Sequence, residues 1–431
     1  MLPTLIFAAI LALYLAFNLG ANDVANAMGT SVGSKAITLT QAIALAGVME
    51  FAGAILLGHQ VSQRLINDVI DPGAWSGDPQ PWLWAMLAVL LTGGVWLNLS
   101  TLLSLPVSAS HTVVGALAGA GLMAAGPEVV HWASLGQISL AWAITPLASG
   151  AIAAGVYSLI RRGILMQEQP LLQLREGVPG LAVLLFGVFG AIVFPALQRT
   201  AWVARWLDNA IIPAPALGIG LSAIGALGLV WVSLKTIVDT SNLDQTSCVS
   251  TEVGAQATLE RVFGRFQVVS AGFVAFAHGA NDVGNAVAPL GAIAFFLNTG
   301  QLPGDRPEMP LDLPFWILAL GGVGLVLGLA ILGKRVIATI GEGIIPLQPS
   351  SGFCAELATA LTVLLASGLG LPVSTSHALI GAVVGVAWVQ DREAIAWGTL
   401  QKIAITWGIT IPAAAAIAAV SFAGIQAWAI K

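Results

Sequence analysis

The stretch Gly20–Ala27 reads GANDVANA, and it returns as GANDVGNA at Gly279–Ala286. A second string follows each copy: LPVSASH at 105–111 recurs as LPVSTSH at 371–377. The two strings recur at offsets of 259 and 266 residues, so both order and spacing are kept. The chain therefore divides into two similar halves, and each half keeps an aspartate inside a long apolar stretch.

The composition is that of a membrane protein. Hydrophobic residues make up 57% of the chain and charged residues 9%, against about 25% charged in a soluble domain. Inside a bilayer only helices and closed barrels satisfy the backbone. Runs such as Pro314–Gly333 fit helices of about 20 residues rather than short alternating strands. We therefore expect an all-α polytopic membrane protein, with the N-terminal segment 3–28 retained as its first helix.

Twelve apolar segments are separated by polar interruptions. We expect residues 1–233 to form the first transmembrane repeat, 234–265 a cytoplasmic linker and 266–431 the second repeat. The segments fall near 3–28, 38–58, 82–104, 109–126, 133–160, 178–198, 211–233, 266–297, 313–333, 353–370, 373–388 and 398–424.

Orientation follows from the distribution of basic residues. If 82–126 and 353–388 are re-entrant hairpins, eight full crossings remain and 11 of the 16 Lys and Arg fall on one side. That side is cytoplasmic by the positive-inside rule. The protein would then lie in the plasma (inner) membrane with both termini outside the cytoplasm. The two repeats would have inverted topology, which suits a transporter. If the hairpin segments instead span the membrane, the count changes.

The GANDV strings carry the first candidate site. An acid at membrane depth costs at least about 2.5 kcal/mol, so a duplicated one indicates cation or proton binding. We expect Asp23 and Asp282 to serve as such ligands, and Gly20 and Gly279 to break each helix just before them. The asparagines could touch both an anion and a cation, or merely bond helix to helix; they are Asn22, Asn26, Asn281 and Asn285.

The LPVSxSH strings predict a turn followed by a helix start. Pro106 and Pro372 interrupt the preceding helix. Free amides and hydroxyls at a helix N-terminus form an anion site without Lys or Arg, although simple capping would give the same pattern. The hydroxyls concerned are Ser108, Ser110, Ser374, Thr375 and Ser376. His111 and His377 could bond a backbone carbonyl or support the site.

Two further acids in apolar segments, Glu50 and Glu356, have no acidic counterpart in the other half. Alignment of the halves puts Leu325 opposite Glu50 and Leu90 opposite Glu356. Each glutamate could be a cation ligand, a proton carrier or a structural acceptor. His278 likewise has no counterpart, because Leu19 stands at the equivalent position, and it could be a local proton or hydrogen-bond group.

The paired strings resemble those of the inorganic phosphate transporter family over essentially the whole chain. The resemblance implies symport of phosphate with Na⁺ or H⁺, no other cofactor, an inverted-repeat fold and often a homodimer. It also implies that the Asn and Asp residues of the two GANDV strings lie at the phosphate and cation sites, and that the five hairpin hydroxyls contact phosphate. The second copies depart slightly, with Gly284 in place of Ala25 and Thr375 in place of Ala109.

Other functions fit less well. A sulfate permease of the same fold remains an alternative, although phosphate near neutral pH keeps a proton that it can donate to a carboxylate. A membrane enzyme would need a catalytic motif; HExxH is absent from the sequence, and the acids follow the repeat rather than a catalytic set. A passive channel would transport without a gradient of Na⁺ or protons. Nothing in the sequence indicates nucleic-acid binding, and the choice between Na⁺ and H⁺ stays open.

Overall fold

The computed structural model describes residues 2–103, 105, 107–208, 213–244, 251–303, 313–334, 337 and 347–429. Nearly all of them lie in helices. In chain order these are α1 Leu2–Gly33, α2 Leu39–Leu57, α3 His59–Asp68, α4 Gln80–Leu102, α5 Ala109–Ala125, α6 Trp132–Ile160, α7 Pro170–Leu197, α8 Ala201–Asp208, α9 Ala214–Asp244, α10 Thr251–Thr299, α11 Phe315–Ile331, α12 Pro349–Gly368, α13 Thr375–Gln390 and α14 Trp397–Ala429.

The helices confirm the predicted fold class. Within the described ranges, nine helices are long and apolar enough to cross a membrane, and three shorter apolar helices, α5, α11 and α13, accompany them. Together they match the twelve predicted segments one for one. Large apolar side chains stay exposed on outward faces, such as Leu159 at 75% and Val420 at 73%. Because water would not favour so much exposed apolar surface, the chain is an integral membrane protein.

The stretch expected as a linker, 234–265, is helical wherever the structure describes it. Helix α9 continues to Asp244 and α10 already begins at Thr251. Arg261 and Arg265 are exposed, whereas the three residues between them are buried. The two arginines therefore lie on an exposed face of α10, and α9 and α10 extend further than their apolar segments predicted.

Interhelical contacts repeat between the halves. Helix α1 packs against α11 as α10 packs against α2, and α5 packs against α14 as α13 packs against α6. Gly20 lies directly against the backbone of Leu325, and Gly279 against the backbone of Glu50. The alignment of Leu325 with Glu50 is thereby confirmed.

The predicted break before each GANDV string is wrong. Helices α1 and α10 run through Gly20 and Gly279 without interruption. A Cβ at either position would overlap a backbone carbonyl of the neighbouring helix. Small residues allow such close approach between helices in a membrane, so these glycines serve packing rather than bending.

The two hairpins turn where the LPVSxSH strings lie. Helix α4 ends at Leu102 and α5 begins at Ala109, while α12 ends at Gly368 and α13 begins at Thr375. Pro372 lies in the second connection, as expected. Pro106, expected to interrupt the first hairpin, falls outside the described residues.

Candidate functional site

The candidate site lies where the middles of α1 and α10 meet the starts of α5 and α13. Residues 18–31 of α1 and 270–294 of α10 are buried throughout. Asp23 is 3% exposed and Asp282 1% exposed. A buried carboxylate must be paired or hydrogen-bonded to persist, so the partners of these two acids define the site.

His278 stands among three carboxylates. Its Nε2 lies 2.9 Å from Asp282 Oδ2 and 3.9 Å from Asp23 Oδ2, and its Nδ1 lies 3.1 Å from Glu50 Oε1. We call Asp23, Glu50, His278 and Asp282 the acid cluster; all four side chains are buried. One imidazole can carry at most one positive charge, so three ionised carboxylates need further protons or cations for neutrality.

Three members of the acid cluster offer ligand atoms close enough together to hold a cation. Ligand atoms of Asp23, His278 and Asp282 all lie within 4.8 Å of one another. The structure therefore brings together Asp23 and Asp282, as the repeat suggested, and adds Glu50 from α2. His278 was not among the expected site residues, because its lack of a counterpart hid its central position.

In the first half, the amides hold the carboxylate of Asp23. Nδ2 of Asn22 donates to Asp23 Oδ1 over 3.0 Å, and Nδ2 of Asn26 donates to the same oxygen over 3.1 Å. Asn22 Nδ2 also lies 3.5 Å from the carbonyl of Val107, in the first hairpin. The asparagines thus orient the acid and tie α1 to the hairpin turn.

The second half repeats this arrangement with one addition. Nδ2 of Asn281 and of Asn285 donate to Asp282 Oδ1 over 2.8 and 3.0 Å. Asn281 also donates to the carbonyl of Val373 over 2.8 Å, and Asn285 to Ser110 Oγ over 3.4 Å. The Oδ1 atom of Asn285 is buried and has no hydrogen-bond partner within the described part of the chain, so it is available to a cation or a hydroxyl.

The hairpin hydroxyls join the two halves. Ser110 Oγ donates to a backbone carbonyl of the second hairpin over 2.9 Å. Thr375 Oγ1 donates to Asp282 Oδ2 over 3.2 Å, and Ser374 Oγ and Ser376 Oγ lie 2.9 Å apart. All four hydroxyls are buried, and Ser110 and Thr375 contact Asn285 and Asp282 directly.

Two of the serines also cap helices. Ser108 Oγ accepts from the backbone N of His111, and Ser374 Oγ accepts from that of His377, each over 3.3 Å. These are N-cap bonds at the starts of α5 and α13. Capping therefore accounts for part of the serine pattern, while Ser110 and Thr375 in the first turns of the same helices contact Asn285 and Asp282.

His111 and His377 bond backbone carbonyls, one of the two roles considered for them. Nδ1 of His111 lies 3.4 Å from the carbonyl of Trp407, and Nδ1 of His377 lies 3.2 Å from that of Trp142. The two imidazoles also meet edge to face, with ring centroids 4.8 Å apart. They connect each hairpin to the long helix that packs against it.

Two further hydroxyls contact the site asparagines. Thr101 Oγ1 donates to Asn22 Oδ1 over 3.4 Å, and Ser367 Oγ donates to Asn281 Oδ1 over 3.1 Å. Positions 101 and 367 are 266 residues apart, the offset of the hairpin strings. A search for hydroxyls duplicated at that offset would have found both.

Glu356 belongs to a separate pocket. Its carboxylate accepts from Thr30 and Ser31 over 2.6 Å each, from Ser270 over 2.7 Å and from Gln267 over 3.2 Å. Thr30 lies about 10 Å beyond the GANDV aspartate along α1, at 1.5 Å per residue. We call these five side chains the Glu356 pocket; the structure places it apart from the acid cluster, unlike Glu50.

Comparisons with known proteins point to one family. Residues 19–418 match the model of the phosphate transporter family. A putative phosphate permease of Chlamydia pneumoniae is 35% identical over 447 residues, which cover 99% of both chains. The chloroplastic inorganic phosphate transporter 2-1 of Arabidopsis thaliana is 36% identical over 94% of this chain and 70% of its own.

A solved structure extends the likeness to the fold. A chain described as the sodium-dependent phosphate transporter superposes with a TM-score of 0.86 at 33% identity, covering 98% of this chain and 99% of that one. The matched proteins are permeases and transporters, in agreement with the prediction that the chain is not an enzyme. The duplicated strings, the helical fold and these likenesses together place the chain in the phosphate transporter family.

Proposed function

We propose that this protein imports inorganic phosphate by symport with Na⁺, through alternating access around the acid cluster. The observation that carries the proposal is the convergence of both halves on one buried place. Each half supplies an aspartate held by two asparagines and the start of a hairpin helix. A site made by two repeats, deep among the helices, is typical of secondary transporters.

Charge balance supplies the reason for coupling. The acid cluster holds three carboxylates and one imidazole, so an incoming anion would meet net negative charge. A cation bound at Asp23 and Asp282 removes that repulsion, and Glu50 and the separate Glu356 pocket are further candidate sites for a cation or proton. Phosphate would therefore bind favourably only with the cation in place, which couples the movement of the two.

The anion would be held without Lys or Arg. The helix starts of α5 and α13 offer amides and hydroxyls to an oxyanion. The proposed phosphate contacts are Asn22, Asn26, Ser108, Ser110, Asn281, Asn285, Ser374, Thr375 and Ser376. A protonated phosphate can also donate to a carboxylate, which sulfate cannot, and this favours phosphate over the sulfate alternative.

Two observations support Na⁺ over H⁺. The similar solved structure is described as sodium-dependent. The site is also rich in carboxylate and amide oxygens, the ligands that hard cations take, including the unpartnered Asn285 Oδ1.

Topology and assembly are part of the proposal. The inverted repeats would be residues 1–233 and 266–431, joined on the cytoplasmic side by residues 234–265. The protein would lie in the plasma (inner) membrane with both termini outside the cytoplasm. The repeated packing of α1 on α11 and of α10 on α2 supports two equivalent units. The resemblance to the inorganic phosphate transporter family also implies that the protein forms a homodimer.

Uptake of labelled phosphate into proteoliposomes tests the function, with Na⁺ and pH gradients imposed separately. We expect the Na⁺ gradient to drive accumulation and the pH gradient alone not to. Asp23→Asn and Asp282→Asn should each lower uptake at least about tenfold by removing a buried charge at the cation site. Exposed Glu393→Gln is the matched control.

Several outcomes would contradict the proposal. Full uptake in both aspartate variants would exclude the acid cluster as the cation site. Accumulation driven by neither gradient would exclude symport. Stronger competition by sulfate than by unlabelled phosphate would favour the sulfate alternative.

A further inference from the structure

A cavity of about 760 Å³ opens between α9 and α10, at the level where α1 ends. Most of its wall is apolar and comes from three helices. The apolar part includes Phe186 of α7, Gly228, Leu229 and Val232 of α9, and Val268 and Val269 of α10. This cavity is remote from the acid cluster and has no part in the proposed transport chemistry.

Three cations line one end of the cavity. They are Lys35, Arg261 and Arg265. Their side chains have no hydrogen-bond or ion-pair partner in the part of the chain that the structure describes. The acid in the lining, Glu260, accepts from the backbone N and the hydroxyl of Ser350 over 2.9 and 2.8 Å, so its carboxylate is directed to α12. The cavity therefore offers uncompensated positive charge.

The apolar part of the wall belongs to a helix with an exposed face, and Gly228 of the lining is itself exposed. On α9, Ile224 and Leu227 are each 68% exposed and Trp231 is 66% exposed. Lys235 lies over the Trp231 ring, 5.6 Å from its centroid. Tryptophan and lysine near the end of a spanning helix are typical of the headgroup level. The charged end of the cavity thus sits at the membrane interface and the apolar end beside the acyl chains.

We propose that this cavity, the basic groove, binds an anionic phospholipid from the bilayer. The lipid phosphate lies among Lys35, Arg261 and Arg265, and an acyl chain follows the wall past Gly228. Basic pockets between membrane helices suit anionic headgroups. Free inorganic phosphate complements only the charged end and leaves the apolar wall uncovered, so the occupant is an amphiphile.

Native mass spectrometry of the purified full chain tests the proposal, with phosphatidylglycerol and phosphatidylcholine titrated separately. A Lys or Arg near an anionic headgroup contributes about 1 kcal/mol, or roughly fivefold in affinity. Arg261→Gln with Arg265→Gln should therefore weaken phosphatidylglycerol binding about 25-fold. Arg162→Gln with Arg175→Gln removes the same charge from exposed positions outside the groove and should change nothing.

A second variant separates shape from charge. Gly228 has open space around its Cβ position, so Gly228→Leu fills the groove with every cation kept. We expect it to weaken phosphatidylglycerol binding at least about tenfold, because the acyl chain loses its apolar wall. Gly220→Leu on the same helix, also in open space but outside the groove, is the control.

The measurement can overturn the proposal in three ways. Phosphatidylcholine could bind as tightly as phosphatidylglycerol, which would remove the role of the cations. The groove variants could bind as tightly as their controls, which would place the lipid elsewhere. Inorganic phosphate could displace phosphatidylglycerol, which would identify a free-phosphate site. Size-exclusion profiles establish folding, and if the double arginine variant misfolds, Gly228→Leu decides the question.

Discussion

Glu50 and His278 have apolar counterparts in the opposite half. Leu325 lies against Gly20 as Glu50 lies against Gly279, and Leu19 stands where His278 would be expected. Both leucines are fully buried. The same helix packing therefore accepts an ionisable pair in one place and an apolar pair in the other. Since a buried polar pair contributes little net stability over a hydrophobic pair, stability alone does not account for Glu50 and His278.

This equivalence predicts a double-mutant cycle. Glu50→Leu or His278→Leu alone should lower the free energy of unfolding by about 3–5 kcal/mol, because each leaves a buried partner uncompensated. The double variant rebuilds the leucine pair of the other half, so it should recover at least half of that loss. Thermal unfolding in detergent measures all three. Additive losses would contradict the idea that the two sites share one packing.

The Glu356 pocket makes a second prediction at this scale. Ser270→Ala removes one of the four donors to a buried carboxylate, and hydrogen bonds to charged groups contribute about 1.5–3 kcal/mol. We expect a loss of stability in that range by thermal unfolding. Ser76→Ala, at an exposed hydroxyl that also donates one hydrogen bond, is the control. Equal effects of the two changes would show that Glu356 does not depend on these donors.

Helix contacts at the element scale depend on glycine. Gly20→Ala and Gly279→Ala place a Cβ on a backbone carbonyl of α11 or α2, so the helices must move apart. We expect each change to cost about 1–3 kcal/mol, as overpacking does. Gly155→Ala on α6, where a Cβ meets open space, should be neutral or gain about 0.5–1 kcal/mol from helix propensity. Unfolding temperatures and monodispersity compare the three.

Sequence patterns predicted these elements unevenly. Every apolar segment became a helix, because hydrophobic length alone decides what can span a bilayer. The start of α10 at Thr251 was missed, since exposed charged residues such as Arg261 and Arg265 interrupt the apolar pattern there. The breaks at Gly20 and Gly279 were wrong because glycine can serve close packing as well as bending. The partners of Glu356 lie up to 326 residues away in sequence, beyond the reach of any local pattern.

The whole molecule has a site that neither half completes. The first half supplies Asp23 and Glu50, and the second supplies His278 and Asp282. The duplicated asparagines donate to their aspartates in the same way in both halves. The unduplicated Glu50 and His278 come from different halves and meet at the interface between them. In the proposed alternating access, a movement of one half against the other would therefore change the distances between members of the acid cluster.

Inverted topology gives the last prediction, through two equivalent loop positions. Glu128 follows α5 and Glu393 follows α13, and both are exposed. Inverted repeats place them on opposite sides of the membrane, while parallel repeats place them on the same side. We replace each by cysteine in a chain whose own two cysteines are changed to alanine. A membrane-impermeant maleimide should label the Glu128→Cys chain in intact cells and the Glu393→Cys chain only after permeabilisation, since the positive-inside rule puts the second loop in the cytoplasm. Labelling of both in intact cells would rule out the inverted arrangement, and the reverse pattern would keep it but place both termini in the cytoplasm.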